Sequence, residues 1–411
     1  MCDARLSVGH ESMRVYFAPC GIGLGHVGRT VPIARRLSQK NATIVFSTYQ
    51  EGIDYVKNVK FSLIKAPAVG FKVKPDGTID FRRTAIKPGP FFASFTLLKQ
   101  IVAEIRFIES FKPDVVVSDS RASSLIAARM LQLPRVCILN QFQVIIPRKV
   151  HHLQLARFAD SITLTLIGKI WTNVDTVLVP DFPPPYTISL GNLSIPKSYR
   201  KKAKLIGPIL EVRPNQLPTK EELRRKLGLP VDKPVIFVPI SGSTKEKAFL
   251  TGILRKIFLE FPEEYEIVMS LGYPSAGGKP VRYGNLTIFK WVPNRFEYLK
   301  TCDMIVARAG HGTITQAMCY GKPAILVPTP GHTEQISNAK QARDLGVARV
   351  LSQSNLGKES LLEVVKQIIA GKMREEVEEM QDEVLKHDGL ENAVEAITRV
   401  AETRVSVFKA T

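Results

Sequence analysis

Two doubly wound α/β domains joined by a proline-punctuated linker are what this 411-residue sequence predicts. Three observations carry that expectation. The length exceeds what one ordinary core serves and suits two units of roughly 200 residues. In both halves, short β-rich apolar runs alternate with segments of helical periodicity. Where a run ends, glycines and other small residues lead into a helix, as in a parallel strand–helix–strand unit.

In chain order, Met13 to Pro19 reads as a strand that ends in glycines. Val31, Ala34 and Leu37 follow at helical spacing, and Ala42 to Ser47 reads as the next strand. The pattern returns as a strand at Asp114 to Val117, a helix at Arg121 to Leu131, and a strand at Arg135 to Leu139 before Asn140 and Gln141. From Asn192 to Asp232 the alternation lapses. Pro196, Pro208, Pro214, Pro218 and Pro230 punctuate a basic, polar stretch there. Thr219 and Glu222 stand at capping-box spacing within it, ahead of a short helix with Gly228 near its end. Pro234 to Pro239, Glu266 to Ser270, Leu286 to Phe289, Asp303 to Val306 and Pro323 to Val327 then read as five buried parallel strands. Helices are expected at Lys245 to Phe261, Gly312 to Tyr320 and Glu334 to Leu345, and Glu359 to Ala401 is helix-rich and charged. The expected division is 1–210, a linker at 211–232, and 233–411, with the last helix a candidate to pack back on the first domain. Ligands of such a fold belong at strand C-termini, in the cleft between the halves.

Composition narrows the class. Hydrophobic residues make up 45% and charged residues 23%, values of a globular chain that exclude disorder. The five cysteines (Cys2, Cys20, Cys137, Cys302, Cys319) form no CxxC pair, so reduced buried thiols are expected rather than a disulfide frame or a zinc site. No run of about 18 apolar residues and no signal-peptide core appear, which predicts a cytoplasmic protein. Lys plus Arg number 57 against 38 Asp plus Glu, a net charge of +19. That excess favours a polyanionic partner or simply a basic, solubilising surface, and does not choose between them.

The loop Gly21-Ile22-Gly23-Leu24-Gly25-His26-Val27-Gly28-Arg29 contains a literal GxGxxG. A dinucleotide fingerprint also needs an acid at the end of the second strand. Ser47, Thr48 and Tyr49 stand there, and Glu51 comes late. His26 is the more informative residue. Flanking glycines leave a ligand room to approach, and the positive end of the helix dipole favours a neutral imidazole able to act as a base. In the second half, Ser241-Gly242-Ser243-Thr244 lies between a strand and a helix, where backbone N–H groups and hydroxyls suit phosphate oxygens. Further on stands Arg308-Ala309-Gly310-His311-Gly312-Thr313-Ile314-Thr315-Gln316-Ala317, then Pro328-Thr329-Pro330-Gly331-His332-Thr333-Glu334-Gln335.

This last constellation resembles the C-terminal half of GT-B glycosyltransferases, in the group of the MurG transferase and monogalactosyldiacylglycerol synthase (glycosyltransferase family 28). The resemblance covers the first loop, the Ser-Gly-Ser turn and residues 290–339. It implies two Rossmann-like domains facing across a cleft, with a nucleotide sugar as co-substrate and no resident cofactor. It also implies His26 as the base near the acceptor hydroxyl. Ser241, Gly242, Ser243, Thr244, Gly310, His311, Gly312 and Thr313 are implied for the donor diphosphate. Trp291, Val292 and Gln316 fall to the nucleoside, and Thr333, Glu334 and Gln335 to the donor sugar. Gly23, Gly25, Arg29, Asp119 and Asn140 are the acceptor-side candidates. Gln316 departs from the family, which often has a glutamate there to clasp the ribose; an amide bonds a hydroxyl less strongly.

Attack of a hydroxyl on an anomeric carbon needs a base and stabilisation of the departing diphosphate. One histidine and two helix N-termini can supply both. No Asp-x-Asp motif occurs, so no metal clamp is expected, and a single base without a carboxylate nucleophile favours direct displacement with inversion. Residues 57–106 interleave basic residues with Phe71, Phe81, Phe91, Phe92, Phe95, Leu97 and Leu98, and Arg148, Lys149, His151 and His152 extend the set. Such a region suits an anionic membrane surface at the inner face and a lipid-linked acceptor, or equally a core with a solvated rim. Two other classes compete. A nucleotide-sugar 2-epimerase shares the fold and needs an acidic group in the cleft, for which Asp119 is the candidate. A basic nucleic-acid-binding protein would account for the charge, but no RRM, KH or helix-turn-helix signature accompanies it, and no nucleic acid is expected as partner.

Overall fold

The computed structural model describes residues 12–68, 89–141, 173–193, 201–274 and 276–409. Among these, the first domain holds β1 (Arg14–Pro19), β2 (Thr43–Thr48), β3 (Ser62–Lys65), β4 (Val115–Asp119), β5 (Arg135–Ile138), β6 (Thr176–Val179) and β7 (Ala203–Leu205). They form one parallel sheet in the order β3-β2-β1-β4-β5-β6-β7. The helices of this half are α1 (Gly25–Gln39), α2 (Glu51–Asn58), α3 (Gly89–Phe111), α4 (Ala122–Met130) and α5 (Leu190–Leu193).

The second domain begins with α6 (Lys220–Leu227) and holds β8 (Val235–Pro239), β9 (Glu266–Ser270), β10 (Val281–Tyr283), β11 (Leu286–Phe289), β12 (Met304–Ala307), β13 (Ala324–Leu326) and β14 (Ala348–Val350). Their order is β10-β11-β9-β8-β12-β13-β14. The remaining helices are α7 (Thr244–Leu259), α8 (Arg295–Thr301), α9 (His311–Cys319), α10 (Thr333–Asp344), α11 (Lys358–Ala370), α12 (Met373–Val384) and α13 (Gly389–Lys409). Both sheets therefore reverse strand order beside their first strand, between β1 and β4 and between β8 and β12, the crevice where doubly wound folds bind ligands.

The apolar runs form central strands because both of their faces are covered. Val15 and Phe17 of β1 pack toward α1 and α13, while Tyr16 and Ala18 pack with Ile108 of α3 and Ala127 and Ala128 of α4. Five strands lie outside the sequence expectation: β3, β6, β7, β10 and β14. One corrects the picture of an all-parallel second sheet, since β10 pairs with β11 antiparallel. Its side chains are all exposed, so burial did not mark it.

Among the described residues, pieces of each half pack into the core of the other. Ala393, Val394, Ile397 and Ala401 of α13 belong to the core of the first domain. In return, Phe182 and Ile188, which follow β6, lie in the core of the second. The stretch 211–232 is not a free connection. Thr219 Oγ1 caps α6 by accepting from Glu222 N–H at 3.3 Å, and Gly228 ends it at φ +66°. Arg224 on that helix donates to Asp303 and to the carbonyl of Thr301, which fixes α6 to the second domain.

Candidate active site

The first loop is shaped by the strands beneath it. Pro19 at the end of β1 is in register with Asp119 at the end of β4, and Cys20 N–H donates to the carbonyl of Asp119 at 3.0 Å. Gly21 then passes so close to Tyr49 that a Cβ would lie 1.9 Å from the Tyr49 carbonyl oxygen. The turn brings Gly25 to the start of α1. Three residues apart on that helix, His26 and Arg29 share the face above Asp119.

Asp119 is wholly buried. His26 Nδ1 lies 2.7 Å from its Oδ1, and Arg29 forks it with Nε to Oδ2 and Nη2 to Oδ1, both at 2.5 Å. Burial pushes the carboxyl up, but Arg29 and His26 outweigh it and hold it below the ordinary carboxylate range. Burial likewise lowers Arg29, and the carboxylate outweighs it, so the guanidinium is held above its ordinary value. Nδ1 faces this carboxylate at 2.7 Å and Nη2 of Arg29 at 3.1 Å; in the tautomer that donates to the carboxylate, Nε2 is the acceptor. His26 keeps about a quarter of its side chain exposed. The arrangement is a partly exposed imidazole oriented by a buried acid.

Facing it, the turn after β8 starts α7. Gly242 adopts φ +121°, a conformation that side chains rarely take, and lies against Gly23 of the opposite loop. Ser243 caps α7: its N–H and hydroxyl donate to Glu246 at 3.1 and 2.9 Å, and Thr329 donates to the same carboxylate at 3.0 Å. Ser241 and Thr244 flank this turn, with Ser241 half-buried and Thr244 opening the helix. Gly310 precedes α9, with Gly312 exposed and Thr313 half-buried in its first turn. Two helix N-termini thus frame one side of the cleft, with Gly23, Gly25 and His26 on the other.

The side chain of His311 takes a different course from the one expected. It is 5% exposed, and its Nε2 lies 3.1 Å from Asp181 Oδ2, at an angle off a straight hydrogen bond. Asp181 also accepts from the N–H groups of Phe182, Ile188 and Ser189. Burial raises its carboxyl, and His311 with the Ser189 donors outweighs that and holds it low. At position 311 it is therefore the backbone, not the imidazole, that stays at the helix start. Trp291 packs its ring edge-to-face on Tyr55 of the first domain, centroids 5.8 Å apart, and Val292 is buried. Gln316 is half-buried one turn into α9. On α10, the carbonyl of the Gln335 side chain accepts from Thr329 N–H at 2.9 Å, holding the preceding loop, and Thr333 opens the helix. Glu334 reaches across the cleft to Asn140 at 2.9 Å.

Sequence reasoning missed two carboxylates. Glu51, set aside as coming too late for a ribose contact, opens α2 and spans the cleft. Its Oε1 accepts from Thr244 N–H and Oγ1 at 3.1 and 3.0 Å, and its Oε2 from Gly23 N–H at 3.4 Å. Asp181 carried no local signal, since it follows a strand that itself went unrecognised. Below the second loop lies Arg308, buried with carbonyl Val327 and Gln353 as partners and pushed down to about 10 by burial. On α3, Phe95, Leu98 and Val102 are exposed at helical spacing and share a face with exposed Lys99 and Arg106. Phe71, Phe81, Arg148, Lys149, His151, His152 and the side chains of Phe91 and Phe92 lie outside the described residues. No helix among the described residues is long and apolar enough to cross a membrane.

Comparison with known proteins bears on the family and the fold. Residues 233–397 match the glycosyltransferase family 28 C-terminal domain, and residues 13–215 match glycosyl transferase family 1. A glycosyltransferase of Methanosarcina acetivorans is 28% identical over 375 residues, 90% of this chain and 93% of its own. The UDP-N-acetylglucosamine–N-acetylmuramyl-(pentapeptide) pyrophosphoryl-undecaprenol N-acetylglucosamine transferase of Lactobacillus acidophilus is 24% identical, covering 95% and 99% of the two chains. Among solved structures, the glycosyltransferase of kitacinnamycin aligns with a TM-score of 0.63 at 16% identity, over 95% of this chain and 100% of its own. MurG of Acinetobacter baumannii aligns at 0.54 and 19%, over 95% and 100%. These likenesses are of fold.

Proposed function

The chain is a glycosyltransferase of the GT-B fold with a family 28 C-terminal domain, and on that premise we propose that it works by inversion and without a metal, moving a sugar from a UDP-sugar to the hydroxyl of a lipid-linked acceptor. The observation that carries the reading is the partly exposed His26 held by the buried Asp119 across the cleft from two helix N-termini. Nε2 accepts the proton of the attacking hydroxyl, and Asp119 stabilises the imidazolium that forms. The departing diphosphate gathers charge, which the first-turn N–H groups of α7 and α9 receive at the positive ends of their dipoles. With one base and direct attack, the anomeric configuration inverts. The absence of an Asp-x-Asp motif favours this metal-free route.

Three features support the finer points. The Lactobacillus relative is named for a UDP-sugar donor and a pyrophosphoryl-undecaprenol acceptor. The α3 face that combines Phe95, Leu98 and Val102 with Lys99 and Arg106 suits an anionic membrane surface, and so a carrier lipid held at the inner face. Asp119, buried and forked by Arg29, is poorly placed to serve as the free acid an epimerase needs. A screen of UDP-sugars with a membrane lipid extract, counting released UDP, tests the reading. Release is expected with one donor, dependent on the extract and unaffected by chelator. No release with any donor, or conversion of a UDP-sugar without acceptor, would overturn it. Flotation with liposomes is expected to be salt-sensitive and to require anionic lipid; absence of binding would remove the membrane from the proposal.

A further inference from the structure

The side-chain amide of Asn140, just beyond β5, is buried between charged groups of opposite domains. Its Oδ1 lies 3.4 Å from Nη2 of Arg29, and its Nδ2 donates to Oε1 of Glu334 at 2.9 Å. The residue is 5% exposed. The charges fix the orientation of the amide. Reversed, it would set N–H against the guanidinium N–H and C=O against the carboxylate. A carboxylate at this position could serve only the cation, and an ammonium only the anion. The same Nη2 donates to Asp119 Oδ1, which also faces His26 Nδ1, and itself lies 3.1 Å from that Nδ1. A continuous polar chain therefore runs from α10 of the second domain to the imidazole of the first: Glu334, Asn140, Arg29, Asp119, His26.

We propose that Asn140 is a positioning residue that couples the donor-sugar contact to the base, by tying the rotamer of Glu334 to the Arg29–Asp119–His26 assembly. The proposal rests on the reading of Glu334 as a sugar contact and His26 as the base. It adds that the two are set by one amide across the domain interface. Without the amide, Glu334 loses its donor and swings free of the sugar, and Arg29 loses the group that joins it to the second domain. A nucleoside diphosphate lacks the transferred sugar and should not sense the change.

The experiment uses the full chain and a double-mutant cycle: Asn140→Ala, Glu334→Ala and the pair together, with Asn140→Asp as the isosteric variant. Binding of UDP, measured by calorimetry, reports both folding and the diphosphate site and is expected to stay within about twofold of wild type. Loss of a hydrogen bond to a charged group predicts a KM for the UDP-sugar raised about tenfold or more in Asn140→Ala. The double variant should be no worse than the more damaged single one, because the two side chains act as a unit. Asn140→Asp keeps the acceptor for Arg29 but faces Glu334 with a second carboxylate, so its KM should exceed that of Asn140→Ala. Strictly additive effects, unchanged KM in Asn140→Ala, or Asn140→Asp equal to wild type would overturn the proposal while leaving the transferase reading intact. If the wild-type chain itself turns over no UDP-sugar, the underlying reading fails, and the proposal falls with it.

Discussion

Replacing Asp119 with asparagine changes one atom of a side chain that is wholly buried and makes three close polar contacts. The isosteric amide can accept at only one end. If its NH2 takes the place of Oδ1, it donates to His26 Nδ1, the ring proton moves to Nε2 and the base is lost, and Nη2 of Arg29 also meets a donor. If the NH2 takes the place of Oδ2, it faces Nε of Arg29, donor against donor. Loss of a positioned general base corresponds to about 10²–10⁴ in rate, or about 3–5 kcal/mol of barrier. Arg29 also loses its counter-charge, and leaving one partner of a buried pair alone costs about 3–5 kcal/mol of stability. The nearby Oδ1 of Asn140 offsets part of that cost. The expected outcome is a kcat lowered about 1000-fold with UDP affinity unchanged, read from initial rates of UDP release and from calorimetry. Stability should fall as well, with a defined pH dependence. The folded carboxyl of Asp119 lies below its unfolded value. Its contribution is therefore complete above the unfolded value and is lost as pH falls through the folded one. The gap between wild type and Asp119→Asn, measured by denaturant unfolding, should be constant near neutrality and shrink in acid. A variant within about tenfold of wild-type kcat would refute the dyad.

Further outcomes follow from the same site. His26→Ala should leave UDP binding intact while transfer falls by about 10²–10⁴; undiminished turnover would remove His26 from the role of base. Glu51→Gln withdraws a carboxylate from the first turn of α7, where the donor diphosphate is proposed to bind, and should tighten UDP binding about fivefold, roughly 1 kcal/mol. Weaker binding on titration would mean that Glu51 supports the loop rather than competes with the donor. Gly21→Ala sets a methyl against the Tyr49 carbonyl and should destabilise the protein by about 1–3 kcal/mol. Gly25→Ala meets nothing within 4 Å and serves as the thermal-denaturation control.

Most central strands were legible because burial on both faces leaves an uninterrupted apolar run, as in Val115 to Val117 or Val235 to Val238, though the equally buried β6 was missed. Edge strands lack that signature: Ala203–Leu205 and Val281–Tyr283 are short and largely exposed. For the latter a signal existed, since Gly284-Asn285 separates it from Leu286 by the two residues of a tight hairpin. In the site, His26 and Arg29 could be seen to share a helix face from spacing alone. Their convergence on Asp119 could not, because it depends on β1 and β4 being neighbours across nearly a hundred residues of chain. The Ser-Gly-Ser turn was legible as a strand-to-helix turn by composition. That Ser243 spends its hydroxyl on Glu246, and that His311 turns to Asp181, depends on partners distant in sequence or in the other domain.

The exchange of segments between the halves bears on how this enzyme can be recombined with its relatives. A donor domain grafted at 211–232 would arrive without Phe182 and Ile188, which fill its core, and would bring an α13 shaped for a foreign sheet. A functional chimera therefore needs four seams rather than one, with 182–188 travelling with the second domain and 389–409 staying with the first. The same geography means that sequence change in the core of either domain is answerable to a piece of chain borrowed from the other.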